Sequence, residues 1–188
     1  MMTSLSLILN PAEDSDESSV NDAVKNYMCV YAEPESDCHV GVPSRKVVSH
    51  IFGRNKRQTL AIPESCWITI CRRHYQRESY RRTRFPIVQC KLVLLQLEKF
   101  IKWGRIRNYT VIKTKKGTSL SDYELDLHIN TLIDTSPVLS DQIHHLIMHI
   151  QHVLERDSFD NRVFPQIQIL PNVDPNFLTA RRGLKRRF

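Results

Sequence analysis

Six residues of this chain have the types and spacing to hold a metal ion. Cys71 and His74 form a C-x2-H pair. On a helix, or at the start of one, residues i and i+3 lie on the same side, so thiolate and imidazole can reach one ion. Cys29 and Cys38 form a C-x8-C pair across a loop. Together these four make a Cys3His set. Zinc takes such sets tetrahedrally, at about 2.3 Å to sulfur and about 2.0–2.1 Å to nitrogen. His50 is an alternate ligand, and His39 can also replace a cysteine. A plainer reading is open as well: small buried cysteines and a hydrogen-bonded histidine lining one face of a helix. Cys66 and Cys90 read as core positions.

Bulk composition narrows the setting. The chain has 188 residues, 41% hydrophobic, with five cysteines. That is enough for one compact domain or a small module plus a second unit. An odd cysteine count argues against a fully paired disulfide framework. Ser4 to Leu9 is too short for a secretory core and runs into acids. No run approaches the about 18 apolar residues of a membrane helix. The expectation is a soluble intracellular protein without membrane contact, in a reducing setting where cysteines bind metal.

The formal charge of +7 is unevenly spread. Residues 1–44 carry one lysine against eight acids, a net −7. Residues 45–116 carry nineteen Lys/Arg against three Glu, a net +16. Residues 117–188 carry seven Lys/Arg against nine acids, a net −2. The middle segment thus holds the C-x2-H pair and a field that attracts polyanions. Arg72, Arg73, Arg77, Arg81 and Arg82 suit a groove-facing helix, where arginine pairs bidentately with guanine edges. Arg45, Lys46, Arg54, Lys56 and Arg57 suit phosphate contacts. Tyr75 and Tyr80 interleave with these arginines and can stack on bases, which keeps single strands and RNA open beside DNA.

The elements that would position these groups follow from pattern. Residues 1–26 read as a disordered acidic tail. Tyr27 to Tyr31 reads as a short strand and Ala32 to His39 as a loop. Val47, Val48, Ile51 and Phe52 share a helical face that Ser44 can cap, and Gly53 fits a stop or tight turn. Pro63 and Glu64 suit a helix start, and Trp67, Ile70, Cys71 and His74 form one stripe. Phe85-Pro86 breaks that helix. A second runs from Ile87 to Trp103, with Val88, Leu92, Leu95 and Ile101 or Phe100 inward. Ile106 to Thr114 is strand-like and 115–118 turn-like. Tyr123, Leu125, Leu127 and Ile129 alternate with Asp122, Glu124, Asp126 and His128, which predicts an acidic strand paired with a basic one in a hairpin. Leu139 to Arg156 is a helix with Ile143, Leu146, Ile147, Ile150 and Leu154 on one side. Val163 to Leu170 predicts an edge strand interrupted by Pro165. Residues 180–187 are a basic cluster, a nuclear address, a phosphate-contacting arm or a solubilising tail.

The expected fold class is α+β: a tail over 1–26, a small zinc-stabilised basic module over 27–104, an α+β unit over 105–172 and a basic tail over 173–188. The stretches Ser49-His50-Ile51-Phe52-Gly53-Arg54-Asn55-Lys56 and Cys71-Arg72-Arg73-His74-Tyr75-Gln76-Arg77-Glu78-Ser79-Tyr80-Arg81 resemble a motif of uncharacterised fungal proteins, with Ile62-Pro63 and Trp67 between them. The order of paired cysteines, Ser-His-Ile, Asn and C-x2-H also resembles the treble-clef layout of HNH nucleases. That resemblance implies His50 as general base and Asn55 as the motif asparagine. Ser49 stands where such enzymes place an acid, and segment 45–77 holds one acid, Glu64.

The leading expectation is a DNA-binding protein of the nucleus, a transcription regulator whose arginine-rich helix is held by structural zinc, with no catalytic residue assigned. An HNH-like nuclease, or an inactive relative of one, is the enzymatic alternative. A protein-interaction module, with a partner docking on 105–172, is the third.

Overall fold

The longest apolar stretch of the sequence makes the central helix, α2 (Phe85–Trp103). Pro86 lies in its first turn, where a missing N–H costs nothing. Gly104 ends it in the left-handed conformation at φ 66°, donating its N–H to the carbonyls of Phe100 and Ile101. Val88, Cys90, Leu92, Val93, Leu97 and Phe100 are buried along it. Leu95, expected inward, is 38% exposed, and of the alternatives Phe100 and Ile101 it is Phe100 that is buried, with Ile101 55% exposed. The inward stripe is wide enough to be filled without them.

The computed structural model describes residues 29–31, 44–81, 84–114, 123–156 and 163–177. The acidic tail, the loop over 32–39, the turn over 115–118 and the basic cluster over 180–187 lie outside these. The described chain is mixed helix and strand, an α+β arrangement. In order it runs β1 (Ser44–Arg45), a 3-10 turn (Glu64–Cys66), β2 (Ile70–Cys71), α1 (Arg72–Tyr80), α2, β3 (Ile106–Lys113), α3 (Tyr123–Asp134), α4 (Ser140–Arg156) and β4 (Ile167–Val173). β1 pairs antiparallel with β2, and β3 with β4. In the latter, Ile106 stands opposite Val173 and Lys113 opposite Ile167, with a bulge between Ile106 and Asn108.

One apolar core joins the basic segment to the rest. It includes Val48, Phe52, Trp67 and Phe100, and also Tyr109, Ile129, Ile147 and Ile169. Phe100 receives Phe52 and Trp67 edge-on, at centroid distances of 5.2 and 5.3 Å, the arrangement that ring quadrupoles favour. Beyond the core, the Ile169 N–H donates to the Ile51 carbonyl at 2.8 Å, so the turn around residue 51 is stitched to β4.

Three expectations are corrected. The 47–52 segment is a chain of turns rather than an α-helix, although Val48, Ile51 and Phe52 are buried together. The N–H groups of Ser49, Ile51 and Gly53 reach back three residues, and the Ser49 hydroxyl donates to the Lys46 carbonyl at 2.8 Å. Side-chain competition of that kind displaces the helical ladder. Gly53, at φ 56°, then turns the chain, and the Thr59 hydroxyl donates to its carbonyl at 2.6 Å.

The expected helix from Pro63 through His74 is instead a 3-10 turn, an extended run and then α1. Strand partners outcompete helical bonding there. The Val30 N–H donates to the Thr69 carbonyl, and Ile70 and Cys71 pair with Arg45 and Ser44.

The alternating 123–129 stretch is helix α3, not a strand. Leu125, Ile129 and Leu132 are buried at helical spacing, whereas Tyr123 and Leu127 are 78% and 53% exposed. Glu124 and Asp126 in the first turn favour the positive end of the helix. The expected basic-to-acidic pairing survives in another form, with Lys113 of β3 donating to Asp126 of α3 at 2.8 Å. The strand partner of β3 is β4, which begins past Pro165 and runs three residues beyond Leu170. α4 follows expectation: Ile143, Leu146, Ile147, Ile150 and Leu154 are all buried, and Val153 joins them.

A Cβ on Gly53 would collide with the Leu170 side chain in a backbone conformation that costs other residues about 1–2 kcal/mol. Gly53→Ala is therefore expected to lower unfolding stability by at least that amount in urea titration. A loss under about 0.5 kcal/mol would show that the turn is not constrained as described.

Candidate metal centre

Helix α1 opens on Cys71, whose backbone is extended while its sulfur accepts the His74 N–H at 3.4 Å. A cysteine thus serves as the N-cap, a role usually taken by a side-chain oxygen. The cap folds the first turn back so that the His74 Nδ1 lies 3.3 Å from the Cys71 Sγ. Cys29 arrives from a distant segment through its parallel bridge to Thr69. Its sulfur accepts the Cys71 N–H at 3.4 Å and lies 3.5 Å from the same His74 Nδ1.

The three ligand atoms all lie within 4.8 Å of one another. Cys29 and Cys71 are buried and His74 half-buried. All four described cysteines are thiols rather than disulfides. Tetrahedral zinc, with the bond lengths given above, places sulfur and nitrogen about 3.6 Å apart. The observed 3.3 and 3.5 Å are close to that separation. Each sulfur also accepts a backbone N–H, and α1 directs its positive end at Cys71. Tyr31 stands against the imidazole, ring centroids 5.5 Å apart. The group can hold a metal ion. It is the only such convergence of three or more His, Cys, Asp or Glu side chains among the described residues.

The other ligand candidates sit elsewhere. Cys38 and His39 lie outside the described residues. His50 is exposed and lines a cavity of about 520 Å³ with Ile51, Pro86, Gln89, Phe164 and Gln168. Asn55 is exposed on the following turn. Cys66 and Cys90 are core residues, as expected. Burial raises both thiols, Cys90 to about 12, which leaves them protonated and poor ligands.

The basic residues divide by environment. Arg72, Arg73, Arg77 and Arg81 are exposed on or at the end of α1, and Arg82 lies outside the described residues. Positions 73, 77 and 81 recur every four residues and form one stripe. Lys56 and Arg57 are exposed. Lys46 is largely buried and pairs with Glu64, which Arg54 also approaches at 3.5 Å. The guanidinium of Arg45 stands 5.2 Å over the Tyr75 ring. Tyr75 also meets Phe85 edge-on, so its ring is engaged within the fold. Tyr80 is 79% exposed. Arg84, not anticipated, adds an exposed cation just after the α1 stripe.

Gln96 was also not anticipated. It is fully buried on α2, where its Oε1 accepts the Ile68 N–H at 2.9 Å and its Nε2 donates to the Cys66 carbonyl at 2.7 Å. One polar residue amid a long apolar run was the available signal. No protein-family model, curated protein or solved structure matches the chain. Among the described residues no helix is long and apolar enough to cross a membrane.

Two outcomes are expected from this geometry. Cobalt(II) added to the reduced protein should give thiolate-to-metal charge-transfer absorption that Cys71→Ser or Cys29→Ser abolishes and Cys90→Ala retains. Unchanged absorption in Cys71→Ser would exclude this centre. Gln96→Leu keeps the side-chain bulk but orphans two buried backbone groups, at about 1–3 kcal/mol each. Its urea midpoint should fall accordingly, and its cobalt affinity should weaken with it.

Proposed function

We propose that the chain is a nucleic-acid-binding protein, with DNA the favoured ligand, that presents helix α1 as its working surface. The observation that carries the reading is that α1 has nine residues and buries none of them fully. So short a helix is marginal alone. Its anchorage lies at its first turn, where Cys71 and His74 meet Cys29. We take the ion to be zinc, with Cys38 the fourth ligand, because a Cys/His set in tetrahedral spacing is the structural zinc class. The rigid end then holds Arg72, Arg73, Arg77 and Arg81 outward along about three turns.

Arg45, Lys56 and Arg57 supply phosphate contacts beside this stripe, and Tyr80 is the aromatic side chain placed to stack. Lys46 and Arg54 contribute less, since Glu64 already engages them. A nuclear regulator of transcription is the role this surface and the expected basic tail fit best. The α+β portion from residue 105 onward supports the core and offers room for a protein partner.

A metal-dependent nuclease is the second reading, favoured by the exposed His50 in the wall of a cavity. Plasmid cleavage in Mg2+ or Mn2+ that His50→Ala abolishes would establish it.

DNA binding should weaken steeply with salt. Each phosphate contact contributes about −0.9 to the slope of log K against log salt. Replacing Arg45, Lys56 and Arg57 together by alanine should flatten that slope by about 2–3, and replacing Arg72, Arg73 and Arg77 together should lower DNA affinity. Unchanged affinity in the Arg72/Arg73/Arg77 variant would overturn the reading.

A further inference from the structure

Eight histidines are present, and among the described residues His74 alone belongs to the centre described above. Two others meet between α3 and α4. His128 lies on α3 beside the buried Ile129, and His149 lies on α4 beside the buried Ile150. Their Nδ1 atoms are 3.2 Å apart, with ring centroids at 5.5 Å and planes inclined by 30°. Both rings are half-buried.

Two imidazole nitrogens so placed have two uses. One can donate a proton to the other, or both can direct lone pairs at a shared cation. Two nitrogen ligands on one tetrahedral ion stand about 3.3–3.4 Å apart, given metal–nitrogen bonds of about 2.0–2.1 Å. The observed spacing is within about 0.2 Å of that, the tolerance appropriate to a metal site.

The sequence of α4 supplies further ligands. His145 precedes His149 by four residues and His152 follows it by three, so all three project from one side of the helix. His145 and His152 are exposed. Pairs of histidines at i and i+4 on one helix chelate a single ion with little rearrangement. Asp126, the nearest acid in sequence, is held by Lys113 and Asn130. The ligand set is therefore nitrogen rather than oxygen.

We propose that His128 and His149, joined by His145 through rotation of its exposed ring, form a second metal site that clamps α3 to α4. An all-imidazole set with water in the remaining position suits zinc, nickel or copper(II), and it disfavours magnesium or calcium. The site is independent of the cysteine centre in residues and in chemistry.

The test uses the full chain, reduced and loaded with one equivalent of zinc. Calorimetric titration with further Zn2+ at about pH 7.5 should reveal a second equivalent. Binding should be lost at about pH 5.5, below the ordinary imidazole value of about 6.5, where protons displace the metal. His128→Asn/His149→Asn should lose the second equivalent and keep the first. His145→Ala, at an exposed position, should keep the fold and weaken the second equivalent by more than about tenfold, since losing even an outer-shell partner costs 10- to 100-fold. In thermal melts the second equivalent should raise Tm for the natural chain and not for the double variant. A double variant that binds as many equivalents as the natural chain overturns the proposal. The first equivalent reports on the cysteine centre, so the two sites fail separately.

Discussion

Gln96 is the constraint on which the placement of the candidate metal group depends. A buried amide must satisfy its donors and its acceptor, or its desolvation is uncompensated. Here Oε1 accepts the Ile68 N–H and Nε2 donates to the Cys66 carbonyl, gripping the chain on either side of Trp67. That grip ties the end of the 3-10 turn and the start of the extended run to α2, beside the edge-on contact of the indole with Phe100. Lys99, on the same helix, reinforces it by donating to the Ser65 and Trp67 carbonyls. Once Trp67 is placed, the chain runs extended into β2, and β2 delivers Cys71 to the start of α1. The position of the candidate metal group therefore derives from a helix that contributes no ligand to it.

Where sequence pattern and structure agree, one periodicity was unopposed. α4 carries a clean apolar stripe and α2 a wide one, and both are helices close to their expected limits. Where they disagree, two patterns overlapped. Tyr123 to Ile129 satisfies strand alternation, but Leu125, Ile129 and Leu132 also satisfy helical spacing. The decision lay with the tertiary partner: β3, ending at Lys113, pairs instead with β4, which begins at Ile167. Around residue 50 the buried set was legible and the backbone was not, because Ser49 and Thr59 hydroxyls compete for carbonyls that a helix would use.

The candidate centre shows the same division. Cys71 and His74 are close in sequence, so their convergence was readable from spacing. Cys29 reaches them from a distant segment, through its parallel bridge to Thr69 and the Cys71 N–H that its sulfur accepts, and nothing in its own neighbourhood announces that contact. The arginine stripe was readable by count, but its members are not equivalent. Glu64, the one acid within residues 45–77, draws Lys46 and Arg54 to itself. It thereby separates the charges that brace the turn from those that face outward.

The long separation between Cys29 and Cys71 bears on how the protein reaches its fold. A metal bonded to both would close a loop of 42 residues. If it acted as a covalent staple does, the lost freedom of the unfolded chain would be about 4 kcal/mol. That sum is comparable to the whole stability of many small domains. Metal supply would then govern whether newly made chains persist, because a chain without it must close the same loop unaided. The pool of usable protein in a cell would follow metal availability as well as synthesis.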